Sequence, residues 1–250
     1  MSKAALTAQY AACAAEHAGR KQRFLHLRLR AARAAIIDLD GTMADTAPDF
    51  HIAANQVRAE YGLAPWPMQR VADCIGKGPE NLVRQLLGAD FSPAQLAQHV
   101  EAALASYHRH YEAVNGRHAR LYPGVRDGLA ALAAGGLKLA CVTNKPHAQA
   151  LRLLQCLALD TAFELVYGGD SFPLKKPDPL PVRRACAALG IGCDEAVLIG
   201  DSSNDAQAGQ AAGCAVLLVP YGYNHGQPIE HAQPDAIVPD LHAAARMILA

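Results

Sequence analysis

The stretch AAIIDLDGTMADT, residues 34–46, joins a continuous apolar run to two carboxylates that are separated by a single leucine. An apolar run without alternation is typical of a strand that is buried on both faces of a parallel sheet. Residues i and i+2 of an extended chain point to the same side, so Asp38 and Asp40 face one ligand while Leu39 faces the core. Gly41 permits a tight turn and a close approach of backbone N–H groups to an anion such as phosphate.

Helical and strand-like patterns alternate in the second half of the chain, from residue 124 onward. Five further strands are predicted, at Leu137–Val142, Glu164–Tyr167, Ala196–Ile199, Ala215–Val219 and Ala236–Val238. Helical segments separate them, and several of these end at a glycine. This alternation predicts an α/β fold whose core is a doubly wound, Rossmann-like parallel sheet that includes the strand at residue 34.

Residues between the first strand and this alternating region have helical spacing and few strand-like runs. They predict an all-helical cap that is inserted after the first strand. The expected organisation is a basic, Ala-rich N-terminal extension, a core in two segments, and the cap. These parts cover residues 1–33, residues 34–48 with 120–250, and residues 49–119, respectively. The extension is interpreted as a helical addition or an overlong start, with a transit peptide as the alternative.

Composition limits the classes of partner. The 250 residues are 51% hydrophobic and carry 23 basic and 23 acidic side chains, so no global charge favours nucleic acid or a membrane surface. No stretch reaches the roughly twenty apolar residues that a membrane span requires. The seven cysteines include no C-x-x-C pair and are interpreted as small buried hydrophobes in a reducing compartment, which predicts a cytoplasmic location. A monomer and a homodimer both remain open.

Polar clusters follow four of the predicted strands or the loops beyond them. They are Asp38 and Asp40, then Thr143-Asn144-Lys145, then Lys175-Lys176-Pro177, and finally Gly200 to Asp205 in the sequence GDSSND. Ligands of an open parallel sheet bind beyond the carboxyl ends of the strands, where the strand order reverses. Several aspartates in one small site repel each other unless a cation neutralises them, and oxygen ligands favour a hard ion such as Mg²⁺.

The four clusters, taken in order, resemble the motifs of the haloacid dehalogenase superfamily of phosphohydrolases. DLDGT resembles its first motif, VTN its second, KKPDP its third and GDSSND its fourth. Within the superfamily, IGKGPENLVRQLL, LYPGV and YGYNHG resemble the phosphoglycolate phosphatase group. The resemblance extends over residues 34–250 and implies a core with an inserted cap.

The resemblance also implies a role for each motif residue. Asp38 would attack phosphorus and become an aspartyl-phosphate, while Asp40 would protonate the leaving oxygen and then activate water. Mg²⁺ would be held by the Asp38 carboxylate, the Asp40 main-chain carbonyl and Asp201, with Asp205 direct or through water. Two more catalytic residues are implied, Thr143 hydrogen-bonded to the phosphoryl group and Lys176 balancing its charge, with Lys175 as the rival for the second role.

Substrate contacts are expected from the cap and from the loops below it. Lys77, between Gly76 and Gly78, is a candidate partner for the carboxylate of a small acid, and a solvent-facing lysine is the alternative. Thr42, Gly76 and Asn144 are further candidate substrate contacts. Three structural expectations accompany these. Lys145 is expected to face solvent, Asp45 and Thr46 to cap the first cap helix, and YGYNHG to form a rim loop.

These inferences predict a Mg²⁺-dependent phosphatase for a small phosphate monoester, with 2-phosphoglycolate as the leading substrate. A sugar phosphate or a nucleoside monophosphate is the alternative substrate. A dehalogenase is disfavoured because halide departure needs no proton, whereas Asp40 is present. A phosphomutase stays open, and a phosphate-binding module without turnover is the remote alternative. The predicted partner is a small phosphorylated metabolite, not nucleic acid or a membrane.

Overall fold

The protein is an α/β structure, seen in a computed structural model that describes residue 19 and residues 22–250. The strands are β1 (Ala34–Ile37), β2 (Ala44–Asp45), β3 (Arg120–Leu121), β4 (Lys138–Val142), β5 (Leu165–Tyr167), β6 (Ala196–Gly200), β7 (Ala215–Leu218) and β8 (Ala236–Ile237). The helices are α1 (22–30), α2 (Ala47–Glu60), α3 (Met68–Ala72), α4 (Pro79–Gly88), α5 (Pro93–Val114), α6 (Val125–Ala134), α7 (His147–Cys156), α8 (Leu180–Leu189), α9 (Ser203–Ala212) and α10 (Leu241–Leu249). Short 3₁₀ turns lie at Cys193–Glu195 and Ile229–Ala232.

Six strands form one parallel sheet in the spatial order β5-β4-β1-β6-β7-β8. β1 lies inside it, with Ile37 paired with Cys141 on one side and Ile199 on the other. All four residues of β1 are buried, and they alternate between the two cores, with Ile36 in one and Ile37 in the other. The predicted doubly buried strand and the predicted doubly wound α/β core are therefore confirmed.

Helices cover both faces of this sheet. Residues of α1, α6, α7 and α10 pack in the core on one face, and residues of α8 and α9 pack in the core on the other. Leu25 and Leu29 of α1 are among the buried side chains, so this part of the basic N-terminal segment is helical and packed on the sheet. The prediction for the earlier part of the N-terminal extension concerns residues outside the described part of the chain.

Four helices, α2 to α5, form a separate layer above the carboxyl ends of the strands. They have their own apolar core, which includes Phe50, Val57, Leu86 and Tyr107. The antiparallel pair β2–β3 lies where the chain leaves the sheet and returns to it, a pairing that sequence periodicity did not reveal because each strand has only two residues. No helix in the described part of the chain has the length and apolar character needed to cross a membrane.

The strand order reverses beside β1, because the chain first adds β4 and β5 on one side and then β6, β7 and β8 on the other. The loops that follow β1, β4 and β6 consequently meet at one edge. This edge is the usual ligand site of an open α/β sheet, and it lies below the helical layer.

Candidate active site

Three carboxylates converge at this edge of the sheet. Asp38 follows β1, Asp201 follows β6 and Asp205 lies in the first turn of α9, and one oxygen of each lies within 4.8 Å of the others. Lys176 Nζ lies 2.9 Å from Asp38 Oδ1 and donates a 2.6 Å hydrogen bond to Asp205 Oδ1. The three carboxylates and the one ammonium group together have a formal net charge of −2 in a largely buried site.

The buried charges shift the pKa values of these groups. Burial raises the pKa of Asp38 to about 6, an effect that Lys176 reduces and Asp205 increases. Burial, followed by repulsion from Asp205 and Asp38, raises the pKa of Asp201 well above its ordinary range. Burial opposes the charged form of Lys176, but Asp205 and Asp38 outweigh it, so its pKa lies above that of an ordinary lysine. The positive charge that the protein itself supplies thus neutralises only part of the negative charge of these carboxylates.

This site fits a divalent cation such as Mg²⁺. Carboxylate oxygens are hard ligands, and an ion of charge +2 would neutralise the two excess charges of the cluster. Asp38 Oδ1 is buried and, among the described residues, has no well-directed hydrogen bond despite its ion pair with Lys176. An oxygen with an unused lone pair is available both to a cation and to an electrophile.

Asp201 is held from two sides by the first loop and by the loop after β7. Thr42 Oγ1 donates a 2.6 Å hydrogen bond to Asp201 Oδ1, and the N–H of Tyr223 donates a 2.5 Å bond to Oδ2. Gly41 has φ of +87°, and a Cβ atom there would overlap Asp201 Oδ2. Thr42 is itself fully buried, and its hydroxyl contacts Asp201. The sequence-based expectation was a contact between Thr42 and the substrate.

Asp205 is engaged on both of its oxygens. Oδ1 accepts from Lys176, and Oδ2 accepts from the backbone N–H of Ser202 at 3.1 Å and from its hydroxyl at 2.5 Å. It belongs to the three-carboxylate group, and it holds Lys176 together with the carbonyl of Val142, which accepts a 2.7 Å hydrogen bond from the same Nζ. Lys175 is only partly buried and does not pair with Asp38, so of the two lysines Lys176 is the one that contacts the expected nucleophile.

A small cavity of about 30 Å³ separates these loops from the helical layer. The core contributes Asp38, Asp40 and Thr143 to its lining, and the cap contributes Phe50 and Gly76, with further lining residues in Ile75, Gly78, Pro79, Leu82, Tyr107, Asn144, Lys145, Pro146 and Gln149. The cavity therefore combines two carboxylates and a hydroxyl with an apolar roof. An apolar lining with a few polar groups that point to one place is typical of a small-molecule site.

Lys145 contradicts the sequence-based expectation of a solvated side chain. It is only 4% exposed, and its Nζ lies 3.0 Å and 3.2 Å from the two carboxylate oxygens of Asp40. It also donates a 2.5 Å hydrogen bond to Tyr111 Oη and lies 4.6 Å from the ring centroids of Phe50 and Tyr111. The prediction was wrong because both aromatic rings belong to the cap, whose closure over this loop cannot be read from local polarity.

Lys77 is not brought to the cavity. The side chain is exposed and does not line the cavity, although its neighbours Gly76 and Gly78 do. The carbonyl of Gly76 accepts hydrogen bonds from Asn144 Nδ2 at 2.8 Å and from Asn204 Nδ2 at 3.1 Å. Asn144, expected to touch substrate, thus connects the cap loop to the core as well as lining the cavity.

The loop YGYNHG, residues 221–226, supports the start of the cap. Tyr223 Oη accepts from the backbone N–H groups of Thr46 and Ala47, each at 2.9 Å, and donates to Asp45 Oδ1 at 2.5 Å. Thr46 occupies the N-cap position of α2 but makes no side-chain cap hydrogen bond, which corrects the expectation for that residue. Asp45 accepts a 3.2 Å bond from Ala47 N. The tyrosine was missed because it is about 180 residues away in sequence.

The parallel sheet, the cluster of carboxylates at the ends of its inner strands and the helical layer above them define a capped α/β protein with an acidic, metal-competent site. Residues 35–219 match the model of the haloacid dehalogenase-like hydrolase family. A phosphoglycolate phosphatase of Nitrosospira multiformis is 47% identical over 216 residues, which are 86% of this chain and 95% of that protein. One from Thiobacillus denitrificans is 44% identical over the same shares of the two chains.

A solved structure gives the same result for the fold. The crystal structure of a predicted phosphoglycolate phosphatase from Haemophilus somnus superposes with a TM-score of 0.81 at 29% identity, covering 87% of this chain and 98% of that one. The chain belongs to the haloacid dehalogenase-like hydrolase family. The family resemblance carried by its four motifs is confirmed.

Proposed function

We propose that this protein is a Mg²⁺-dependent phosphatase that hydrolyses 2-phosphoglycolate to glycolate and inorganic phosphate. The observation that carries the proposal is the pairing of Lys176 with Asp38, which lines a cavity together with Asp40 and Thr143. The names of the relatives at 47% and 44% identity support the choice of substrate. The polar and apolar groups that line the cavity suit a small charged ester.

In the first half of the proposed reaction, an oxygen of Asp38 attacks the phosphorus atom in line with the ester oxygen. A bond forms between the carboxylate and phosphorus, and the bond between phosphorus and the glycolate oxygen breaks. Asp40 donates its proton to that oxygen, so glycolate leaves as an alcohol.

In the second half, Asp40 removes a proton from a water molecule that attacks phosphorus. The bond between phosphorus and Asp38 then breaks, which regenerates the carboxylate and releases phosphate. Thr143 Oγ1 accepts a 3.2 Å hydrogen bond from Lys145 N, which leaves its own hydrogen for a phosphoryl oxygen. Lys176 balances the charge of Asp38 and of the phosphoryl group. Mg²⁺, when held by Asp38, Asp201 and the Asp40 carbonyl, with Asp205 direct or through water, supplies further positive charge for the phosphoryl oxygens.

The carboxylate of 2-phosphoglycolate needs a cation of its own in the cavity. Lys145 is the cationic side chain that lines the cavity within the described part of the chain, whereas Lys77 is exposed and outside it. Its Nζ is desolvated by Phe50 and Tyr111, and a desolvated ion pair is stronger than one in water. We therefore assign carboxylate recognition to Lys145 in place of Lys77, with the ammonium group shared between the substrate and Asp40.

The substitution Lys145→Met tests this assignment. It should lower kcat/KM for 2-phosphoglycolate about 30-fold more than for ethyl phosphate, an ester that lacks the carboxylate. The reason is that a lost buried ion pair is worth about 2 kcal/mol or more, whereas any effect through Asp40 is common to both substrates. Steady-state phosphate release on the two esters measures the difference.

Lys77→Met is the matched control, since it removes a lysine of the same cap–core region that does not line the cavity. It should change neither kcat/KM by more than about threefold, as expected for a surface charge. Equal losses on both esters for Lys145→Met would show that Lys145 serves only Asp40. A selective loss for Lys77→Met would return the role to Lys77.

The proposed substrate is tested by phosphate release from a panel of esters in the presence of Mg²⁺. The panel contains 2-phosphoglycolate, ethyl phosphate, a sugar phosphate and a nucleoside monophosphate. We expect kcat/KM for 2-phosphoglycolate to exceed each of the others by at least about tenfold, because only it carries a second anion on a two-carbon frame. Preference for the sugar or nucleoside ester would replace the substrate, and no release from any ester would favour a binding module without turnover.

The partner is a small phosphorylated metabolite, and the location is the cytoplasm. The six cysteines of the described residues are all free thiols, which agrees with a reducing compartment.

A further inference from the structure

Three cysteines that are far apart in sequence meet at the amino-terminal ends of the strands. The acidic site lies at the opposite, carboxyl-terminal ends. They are Cys186 on α8, Cys193 at the start of the 3₁₀ turn before β6, and Cys214 just before β7. Their sulfur atoms all lie within 4.8 Å of one another. The sequence spacing shows no metal motif, so the proximity of these three thiols could not be predicted from the sequence.

The position of the cluster makes it independent of the catalytic chemistry. Cys193 and Cys214 precede β6 and β7, whereas Asp201 follows β6. The five residues of β6 span about 16 Å at roughly 3.3 Å per residue. No residue of the acidic site belongs to the thiol cluster. A ligand of the thiols is therefore not the metal of the hydrolase site.

The geometry is close to that of a three-sulfur metal site. An ion with metal–sulfur bonds of about 2.3 Å in a plane holds its three sulfurs about 4.0 Å apart. Sulfur separations of at most 4.8 Å require an adjustment of less than about 1 Å, which side-chain rotation can supply. Cys186 and Cys214 are both 1% exposed, while Cys193 is partly exposed and provides access from solvent.

We propose that Cys186, Cys193 and Cys214 form a binding site for a thiophilic d¹⁰ cation, Cu(I) or Zn²⁺. Soft sulfur ligands select such ions and discriminate against hard ones such as Mg²⁺. Among the described residues, no fourth histidine, cysteine or carboxylate belongs to the cluster. Three ligands satisfy a trigonal Cu(I) ion, whereas Zn²⁺ requires a water molecule as its fourth ligand on the side of Cys193.

The test is an anaerobic titration of the full-length, reduced protein with Cu(I) and, separately, with Zn²⁺, each in competition with a chromophoric chelator. One ion should bind per chain, and a large excess of Mg²⁺ should not displace it. Cys193→Ser should weaken this binding at least about 100-fold, because one of the three sulfurs is lost. This variant leaves the two buried thiols in place and should hydrolyse phosphate esters at the parental rate.

Cys156→Ser is the matched control, because Cys156 is an exposed free thiol outside the cluster. It should leave the affinity and the 1:1 stoichiometry unchanged. Equal binding by the parent and by Cys193→Ser would overturn the proposal, as would the absence of 1:1 binding of either ion by the parent. Tighter binding of one ion identifies which of the two the site takes. Absence of phosphatase activity in the unmodified protein would contradict the proposed function but not the proposed thiol site.

Discussion

Asp38→Asn should reduce phosphate release from 2-phosphoglycolate by about four orders of magnitude or more, because the amide cannot form the bond to phosphorus on which both half-reactions depend. The loss should appear in kcat at saturating substrate and Mg²⁺. Mass spectrometry of the parent, quenched in acid during turnover, should detect phosphate on the peptide that contains Asp38. The same peptide of the variant should carry none.

The loss is not expected to come from unfolding. Asp38 is a largely but not fully buried carboxylate beside Asp201 and Asp205, so its neutral replacement relieves repulsion while Lys176 keeps its hydrogen bond to Asp205. The melting temperature of the metal-free variant at neutral pH should therefore equal or exceed that of the parent. Asp160→Asn, at an exposed position, is the matched control and should retain full activity. Parental turnover by Asp38→Asn would exclude the covalent route.

Removal of divalent metal by a chelator should stop turnover, and it should lower the melting temperature more at pH 7.5 than at pH 5. In the metal-free protein the pKa of Asp38 is raised to about 6. A carboxyl whose pKa is raised by folding stabilises the fold fully below the unfolded pKa, about 3.8, and this contribution is lost as the pH rises through about 6. Between these two pH limits, the contribution of Asp38 to the free energy of unfolding of the metal-free protein changes by about 3 kcal/mol.

Mg²⁺ competes with these protons, so its stabilising effect should grow with pH. At a concentration about 100 times its dissociation constant, a bound ion contributes about 2.7 kcal/mol, or several degrees in melting temperature for a chain of this size. Thermal unfolding with and without Mg²⁺ at the two pH values gives the increment. Asp201→Asn should remove most of it. An equal or larger increment at pH 5 would contradict the assignment of the metal to Asp38 and Asp201.

Local sequence patterns were sufficient to predict most of the fold. The unbroken apolar run before Asp38 can be accommodated only between two layers, and it predicts an inner strand of a parallel sheet, which β1 is. Helices α6 (Val125–Ala134) and α8 (Leu180–Leu189) end directly before Gly135 and Gly190, which agrees with the glycine signals at the ends of the predicted helical segments. The ends of parallel strands meet at one edge, so strand-end positions alone predicted that Asp38, Thr143 and Asp201 lie together.

Contacts between the cap and the core could not be predicted in this way. Lys145 is an ordinary polar residue of its loop until α2 and α5 cover it with Phe50 and Tyr111, and only then does burial make Asp40 its partner. The two-residue strands β2 and β3 carry too few residues to show a period. Tyr223 supports the first turn of α2 through a contact whose partners are separated by 177 residues.

The sequence by itself determined the parallel α/β core, the inserted helices and the set of loops that carry charge, because each depends on periodicity or on the position of a residue at a strand end. The tertiary structure alone decided which charges pair, that Thr42 holds Asp201, that Lys77 stays outside the cavity, and that three distant cysteines meet. The physical reason is that pairing and burial depend on distances between segments. Those distances are set by how the layers pack and not by the neighbours of a residue in the chain.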